Sequence, residues 1–290
     1  MTRRGLINAM AGACALLAGG CSPLALFNTL APRDPAKRAG RDIAYGPDPR
    51  QRLDVYTPDA GSSGPLPVLV FFYGGGWNSG RRQDYAWVGQ SLAAQGFVVV
   101  IPDYRLAPLH PYPDFVQDGA EAVRWACDHA AEYGGDPRRL LLSGHSAGAY
   151  IAMQLAMDQA FLRAARVDVR RIKGVAGLSG PYDFIPFDVP ASRDAFGHWP
   201  NAKDTQPINH VAPGRPPVFI AHGDKDDTVT LSNTVNLAKA LRAAGDEVEM
   251  KIYPGMDHPG IVLALSRTFR GQAPVLADMT AFLRRVSGAG

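Results

Sequence analysis

Apolar runs and amphipathic stretches take turns along most of the chain. Val68-Leu69-Val70-Phe71-Phe72, after Pro67, is continuous in its hydrophobicity, which is the pattern of a strand covered on both faces. Residues 97–101 form a second such run, after a helical stretch at 85–95 closed by Gly96. Residues 114–133 place Val116, Ala120, Val123 and Ala126 or Cys127 at three- and four-residue spacing, with Gly134-Gly135 beyond, and so predict a long helix. The short run 140–142 predicts a strand, and a small-residue helical pattern starts at Ala147. Further strands are expected at 175–178, 218–221 and 248–253, and helices at 232–244 and 273–286.

Strands alternating with helices imply an α/β fold with a doubly wound, mainly parallel sheet, whose functional groups gather at the carboxyl ends of the strands. Residues 43–45 and 52–56 alternate apolar and polar side chains around Gly46-Pro47-Asp48-Pro49, predicting an antiparallel hairpin at the amino-terminal edge. No large cap domain is visible. The segment 179–217 interrupts the alternation with prolines and aromatic residues, among them Tyr182, Phe184, Phe187, Phe196 and Trp199. Such an insert in a compact domain is expected to line a substrate pocket or form a small lid.

At 290 residues, 46% of them hydrophobic, the chain is long enough for one catalytic domain with a large core. The net charge of +3 is small and its cations are scattered, so nothing points to nucleic acid. Arg3 and Arg4 precede an apolar stretch at 9–18 that is too short to span a bilayer, the form of an export signal. Leu16-Leu17-Ala18-Gly19-Gly20-Cys21 resembles a bacterial lipoprotein box, and Thr2 to Ile7 resembles a twin-arginine signal. The expected organisation is a signal segment 1–21, a tether 22–41 and a catalytic domain 42–290. Lipid on Cys21 would hold the exported, periplasmic chain at a membrane surface. Of the three cysteines only Cys127 falls in the domain, so no internal disulfide is available to it, and its apolar helical setting predicts burial.

Chemistry concentrates in three places. Gly144-His145-Ser146-Ala147-Gly148 follows a predicted strand and opens a predicted helix; the two glycines let the chain reverse sharply enough to present the Ser146 hydroxyl. A hydroxyl is a weak nucleophile at neutral pH and needs a base, itself oriented by an acid. In the order nucleophile, acid, base, only His258 among the seven histidines follows the acidic cluster Asp224-Lys225-Asp226-Asp227. Its loop, Tyr253 to Gly260, is glycine-rich. Each of the three aspartates qualifies by position, and two of them must serve only turn chemistry. The third place is Tyr73-Gly74-Gly75-Gly76-Trp77, directly after the first buried strand. Three glycines there let main-chain amides approach a substrate carbonyl and, with the amide of Ala147, form an oxyanion hole.

These motifs in this order resemble the α/β-hydrolase superfamily, and its carboxylesterase branch in particular. Tyr73 to Gly80 resembles the oxyanion loop of cholinesterase-type esterases; Asp103 to Pro108 and Gly134 to Pro137 resemble the hormone-sensitive lipase family. Overall, residues 42–290 are similar to bacterial feruloyl and acetyl esterases. The resemblance implies that the acid is the fifth residue of His222-Gly223-Asp224-Lys225-Asp226, hence Asp226, and that Gly75 and Gly76 donate to the oxyanion. It implies a cofactor-free, metal-independent serine hydrolase acting on small-molecule esters. Peptidases and arylformamidases with the same triad remain alternatives.

Overall fold

The computed structural model describes residues 23–288. The signal segment, and with it Cys21, lies outside the described residues. In chain order the described elements are α1 (Pro23–Leu30), β1 (Ala36–Ala44), β2 (Arg52–Pro58), β3 (Leu66–Phe72), α2 (Ala86–Ala93), β4 (Val98–Pro102), α3 (Asp114–His129), β5 (Gly135–His145), α4 (Ala147–Met157), α5 (Ala160–Ala164), β6 (Ile172–Leu178), α6 (Pro190–Phe196), β7 (Val218–Gly223), α7 (Ser232–Ala243), β8 (Val248–Tyr253), α8 (His258–Leu263) and α9 (Val275–Ser287).

The eight strands form one sheet in the order β1-β2-β4-β3-β5-β6-β7-β8. β1 and β2 are the expected antiparallel edge hairpin, β2 also runs antiparallel to β4, and the remaining neighbours are parallel. Side chains alternate between the two faces of β5: the Ser143 hydroxyl points to Met279 on α9, whereas Gly144 meets the backbone of α4. Helix α9 is tied to the end of α2 by Arg284, which donates to the Gln95 carbonyl at 2.7 Å. Both faces are therefore covered, which is why β3, β4 and the centre of β5 carry no polar alternation.

After β3 the chain passes through α2 to β4 on one side; after β4 it crosses back through α3 to β5 on the other. The connections leaving β3 and β5 thus diverge between two paired strands. A crevice opens at such a reversal, outside the carboxyl ends of the strands. Phe72 pairs with Gly144, so the glycine loop and the serine turn leave the sheet side by side.

The structure differs from expectation at the amino-terminal boundary. Residues 22–41 were expected to form a tether, yet from Pro23 the chain is part of the domain. Phe27 is buried, edge-on to Trp87 at 5.2 Å and stacked on Phe269 at 5.7 Å. The Asn28 side chain donates to the Gln83 carbonyl and accepts from the Trp87 amide. Asp34 pairs with Arg270 at 2.6 Å, and β1 starts at Ala36. The segment lacks sequence periodicity because distant partners, rather than a repeating apolar face, hold it.

The insert 179–217 is not a separate lid. It carries α6 and two short 3-10 turns, Ala202–Thr205 and Pro207–His210, and its aromatic rings are continuous with the core. Phe196 packs edge-on to Trp77, Phe115 and Tyr150. Cys127 is buried, as expected.

Replacing Phe27 with Ala removes an aromatic ring from a packed site and should cost about 3 kcal/mol of stability, read as a lower midpoint of urea unfolding. An unchanged midpoint would mean that residues 23–30 do not belong to the domain.

Candidate active site

Ser146 stands at the junction of β5 and α4 with φ 56° and ψ −124°, a backbone conformation that side-chain-bearing residues rarely hold without support from their surroundings. Its amide donates to the Leu178 carbonyl at 2.9 Å. The flanking glycines are required by contact. A Cβ on Gly148 would lie 2.1 Å from the Phe72 carbonyl oxygen, and one on Gly144 would lie 2.4 Å from the Gly148 backbone. The helix therefore packs directly against the ends of β3 and β5, and the hydroxyl is lifted to the rim.

His258 must reach that hydroxyl from β8, which is three strand positions away from β5, roughly 14 Å at about 4.8 Å per strand. It does so from the first turn of α8. Asp257 caps this helix, accepting from the Gly260 amide at 2.8 Å, and Pro259 suits the first turn because it needs no amide partner there. The sequence places His258 on a glycine-rich loop; the structure sets it in a capped helical turn, with its side chain only 12% exposed. The imidazole Nε2 lies 2.9 Å from Ser146 Oγ, and Nδ1 lies 2.8 and 3.0 Å from the two oxygens of Asp226.

The other two aspartates of the cluster do not reach the imidazole. Asp224 accepts from the Gly255 amide at 2.6 Å, joining the loops after β7 and β8. Asp227 is exposed and accepts from the Thr228 hydroxyl. Asp226 has a fully buried side chain. Burial alone would raise its pKa, but the His258 ring and the Val229 amide donate to it, and the net effect holds the carboxyl well below the usual range.

Two further histidines complete the setting, and sequence reasoning passed over both. His222 was set aside because it precedes the acid; it lies buried with Nε2 2.8 Å from the Val229 carbonyl and 3.3 Å from Asp226, while Thr234 donates to Nδ1. The His-Gly-x-x-Asp spacing carried its signal. His145 fills the variable position of the serine motif. It is 5% exposed, with its ring centroid 4.8 Å from that of His258. Burial, and secondarily the nearby His258, push its pKa down to about 3.

The glycine loop closes over the serine. Gly75 and Gly76 have φ of 141° and 57°, and Trp77 has φ 60°. The Gly75 carbonyl accepts from the amides of Asn78 and Ser79 and from the Ser79 hydroxyl. Arg50 buttresses the loop from below, donating to the carbonyls of Gly80 and Tyr104 and to the Tyr73 hydroxyl. A Cβ on Gly74 would lie 3.1 Å from the Ser146 Cβ, so the loop is adjacent to the serine turn. Among the described residues, the amides of Gly75 and Gly76 donate to no backbone group outside regular elements, and Ala147 is the first residue of α4, where helical amides lack an internal partner. On the far side of the loop, Ala191 of α6 would be 3.4 Å from a Cβ on Gly76. The insert therefore forms a wall beside the glycine loop. Among the described residues no group of three or more His, Cys, Asp or Glu side chains is placed to hold a metal.

Comparison with known proteins agrees with this architecture. Residues 53–241 match the family described as BD-FAE. The chain is 30% identical over 249 residues to isoprenylcysteine alpha-carbonyl methylesterase ICME of Arabidopsis thaliana, an alignment covering 79% of this chain and 58% of that protein. It is 33% identical over 221 residues to carboxylesterase NlhH of Mycobacterium tuberculosis, covering 69% of this chain and 68% of the relative. Of several curated relatives the chain spans just over half the length. Among solved structures, Esterase B of Lactobacillus rhamnosis, inhibited by a tributyrin phosphonate, superposes with a TM-score of 0.80 at 20% identity, covering 100% of this chain and 97% of that one. That likeness is one of fold.

The neutral state of His145 has a consequence for stability. The folded ring takes up a proton only near pH 3, whereas in the unfolded chain it does so below about pH 6.5. Between these values the unfolded state binds the extra proton, so stability falls as the pH is lowered, by at most about 1.4 kcal/mol per pH unit from this group. Urea unfolding between pH 7 and 4 should show the decline, and His145→Gln should flatten it.

Proposed function

The chain belongs to the BD-FAE family of the carboxylesterase branch of the α/β-hydrolases, and from that premise we propose that it hydrolyses carboxylic esters through an acyl-enzyme on Ser146. The observation that carries the reading is the unbroken line from Ser146 Oγ through both ring nitrogens of His258 to Asp226, each step at 2.8 to 2.9 Å. In the first half-reaction Ser146 Oγ attacks the acyl carbonyl while its proton passes to His258 Nε2. Asp226, held anionic, stabilises the imidazolium and keeps Nδ1 protonated. The amides of Gly75, Gly76 and Ala147 receive the developing oxyanion, each such donor being worth about 3 kcal/mol in the transition state. The alcohol departs with the proton from Nε2; water, deprotonated by the same nitrogen, then releases the acid.

The substrate class in this reading is a short-chain acyl or aryl ester. The position of α6 supports it, with Ala191 3.4 Å from a Cβ on Gly76, because the insert then bounds the space beside the glycine loop. We further propose that residues 1–21 direct export and that lipid on Cys21 anchors the domain that follows to a membrane surface.

Ser146→Ala should abolish hydrolysis of p-nitrophenyl acetate while leaving the melting temperature near that of the parent; retained activity would remove the assignment. Asp226→Asn should lower kcat by at least ~100-fold and Asp227→Asn by less than ~3-fold, since only the former orients the base. For the anchor, labelled palmitate should enter the full chain expressed in a bacterium and not its Cys21→Ser variant, and equal labelling of both would exclude lipid at this residue.

A further inference from the structure

The residue before the nucleophile does more than fill a turn. His145 Nε2 lies 3.0 Å from the main-chain carbonyl oxygen of His258. A carbonyl only accepts, so this nitrogen carries the ring proton and donates it. Nδ1 is consequently a lone-pair acceptor, and it is buried with no hydrogen-bond partner. It faces the glycine loop: a Cβ built on Gly74 would stand 3.0 Å from it and 3.1 Å from the Ser146 Cβ. One imidazole thus touches the backbone of the residue beside it in space, His258, and the backbone of the loop that holds Gly75 and Gly76.

This contact bears on a weak point in the site. His258 is carried by a helix of six residues that must place its ring three strands away from β8. The Asp226 bonds fix the far side of the ring and the Asp257 cap fixes the helix start, but neither fixes the height of the His258 main chain above β5. The Nε2 bond from His145 does so, and it comes from the residue covalently attached to Ser146. Nucleophile and base are therefore referenced to each other through one side chain, across 113 positions of sequence.

We propose that His145 is a positioning residue for the reaction: by donating to the His258 carbonyl and packing on Gly74, it sets the distance between the base, the nucleophile and the oxyanion loop. The proposal rests on the ester-hydrolase reading. The group required is a donor at the reach of Nε2; a ring is not required, nor is a charge.

The test compares one amide at two lengths. In His145→Gln the side-chain nitrogen falls near the place of Nε2, whereas in His145→Asn it stops near that of Nδ1, short of the carbonyl. With p-nitrophenyl acetate, the Gln variant should keep kcat within ~3-fold of the parent and the Asn variant should lose ~10-fold or more in kcat with KM unchanged, because misplacement of catalytic groups appears in the chemical step. The rate of inactivation by a fluorophosphonate should fall in the same order. His145→Met, of similar bulk and without a donor, replaces Asn if thermal melting shows that Asn unfolds, and it should lose kcat likewise. Equal kcat in Gln and Asn or Met, or a loss confined to KM, would overturn the proposal. A parent chain that neither hydrolyses esters nor reacts with the fluorophosphonate would instead overturn the ester-hydrolase reading.

Discussion

The site depends on a single steric allowance, the direct contact between the first turn of α4 and the ends of β3 and β5. With 2.1 Å separating the Phe72 carbonyl oxygen from where a Gly148 side chain would begin, no residue other than glycine lets the helix approach. That approach forces the reversal at Ser146, and the reversal gives Ser146 its uncommon backbone angles. The conformation is held because its surroundings determine it on every side: the Leu178 carbonyl accepts its amide, α4 follows immediately, and Gly74 lies against its Cβ. Strain of this kind persists only where packing is over-determined. Here the packing of a whole sheet supplies it.

Beside this turn the protein buries the Asp226 carboxylate and surrounds it with neutral donors. Asp226 accepts from an imidazole and from the Thr228 and Val229 amides, and the neighbouring His222 and His145 are driven toward their neutral forms by burial. A buried carboxylate without such partners would take up a proton. With them it remains an anion in a medium where its attraction for a protonated His258 is strong. The acid-base asymmetry of the site follows from which groups are buried with donors and which without.

Much of this was legible in the sequence, and the exceptions share a cause. Strands β3 and β4 announce themselves because both faces are covered, so that every position is apolar. β5 was expected to begin at 140, yet it starts at Gly135; Asp136, Arg138 and Arg139 hide it behind charge, satisfied by ion pairs among themselves while Gly135 pairs with Leu66. The choice of Asp226 came from resemblance alone, because three aspartates in one loop are chemically equal until main-chain amides and a distant imidazole select one. The roles of Phe27 and His145 were invisible for the same reason. Phe27 is held by Trp87 and Phe269, and His145 by a carbonyl far along the chain. Periodicity reports what a segment does to its own face; it is silent about a partner supplied from elsewhere.

Trp77 is wall and keystone at once. Its ring is packed among Phe115, Tyr150, Phe184 and Phe196, while its backbone belongs to the glycine loop, so any change that widens the cleft at this point also loosens the centre of the molecule. Ala191 of α6 stands beside the glycine loop, and Val189, just before that helix, is 52% exposed. The insert is therefore free to vary at its exposed margin and is locked at its root, which makes the margin the productive ground for redesign.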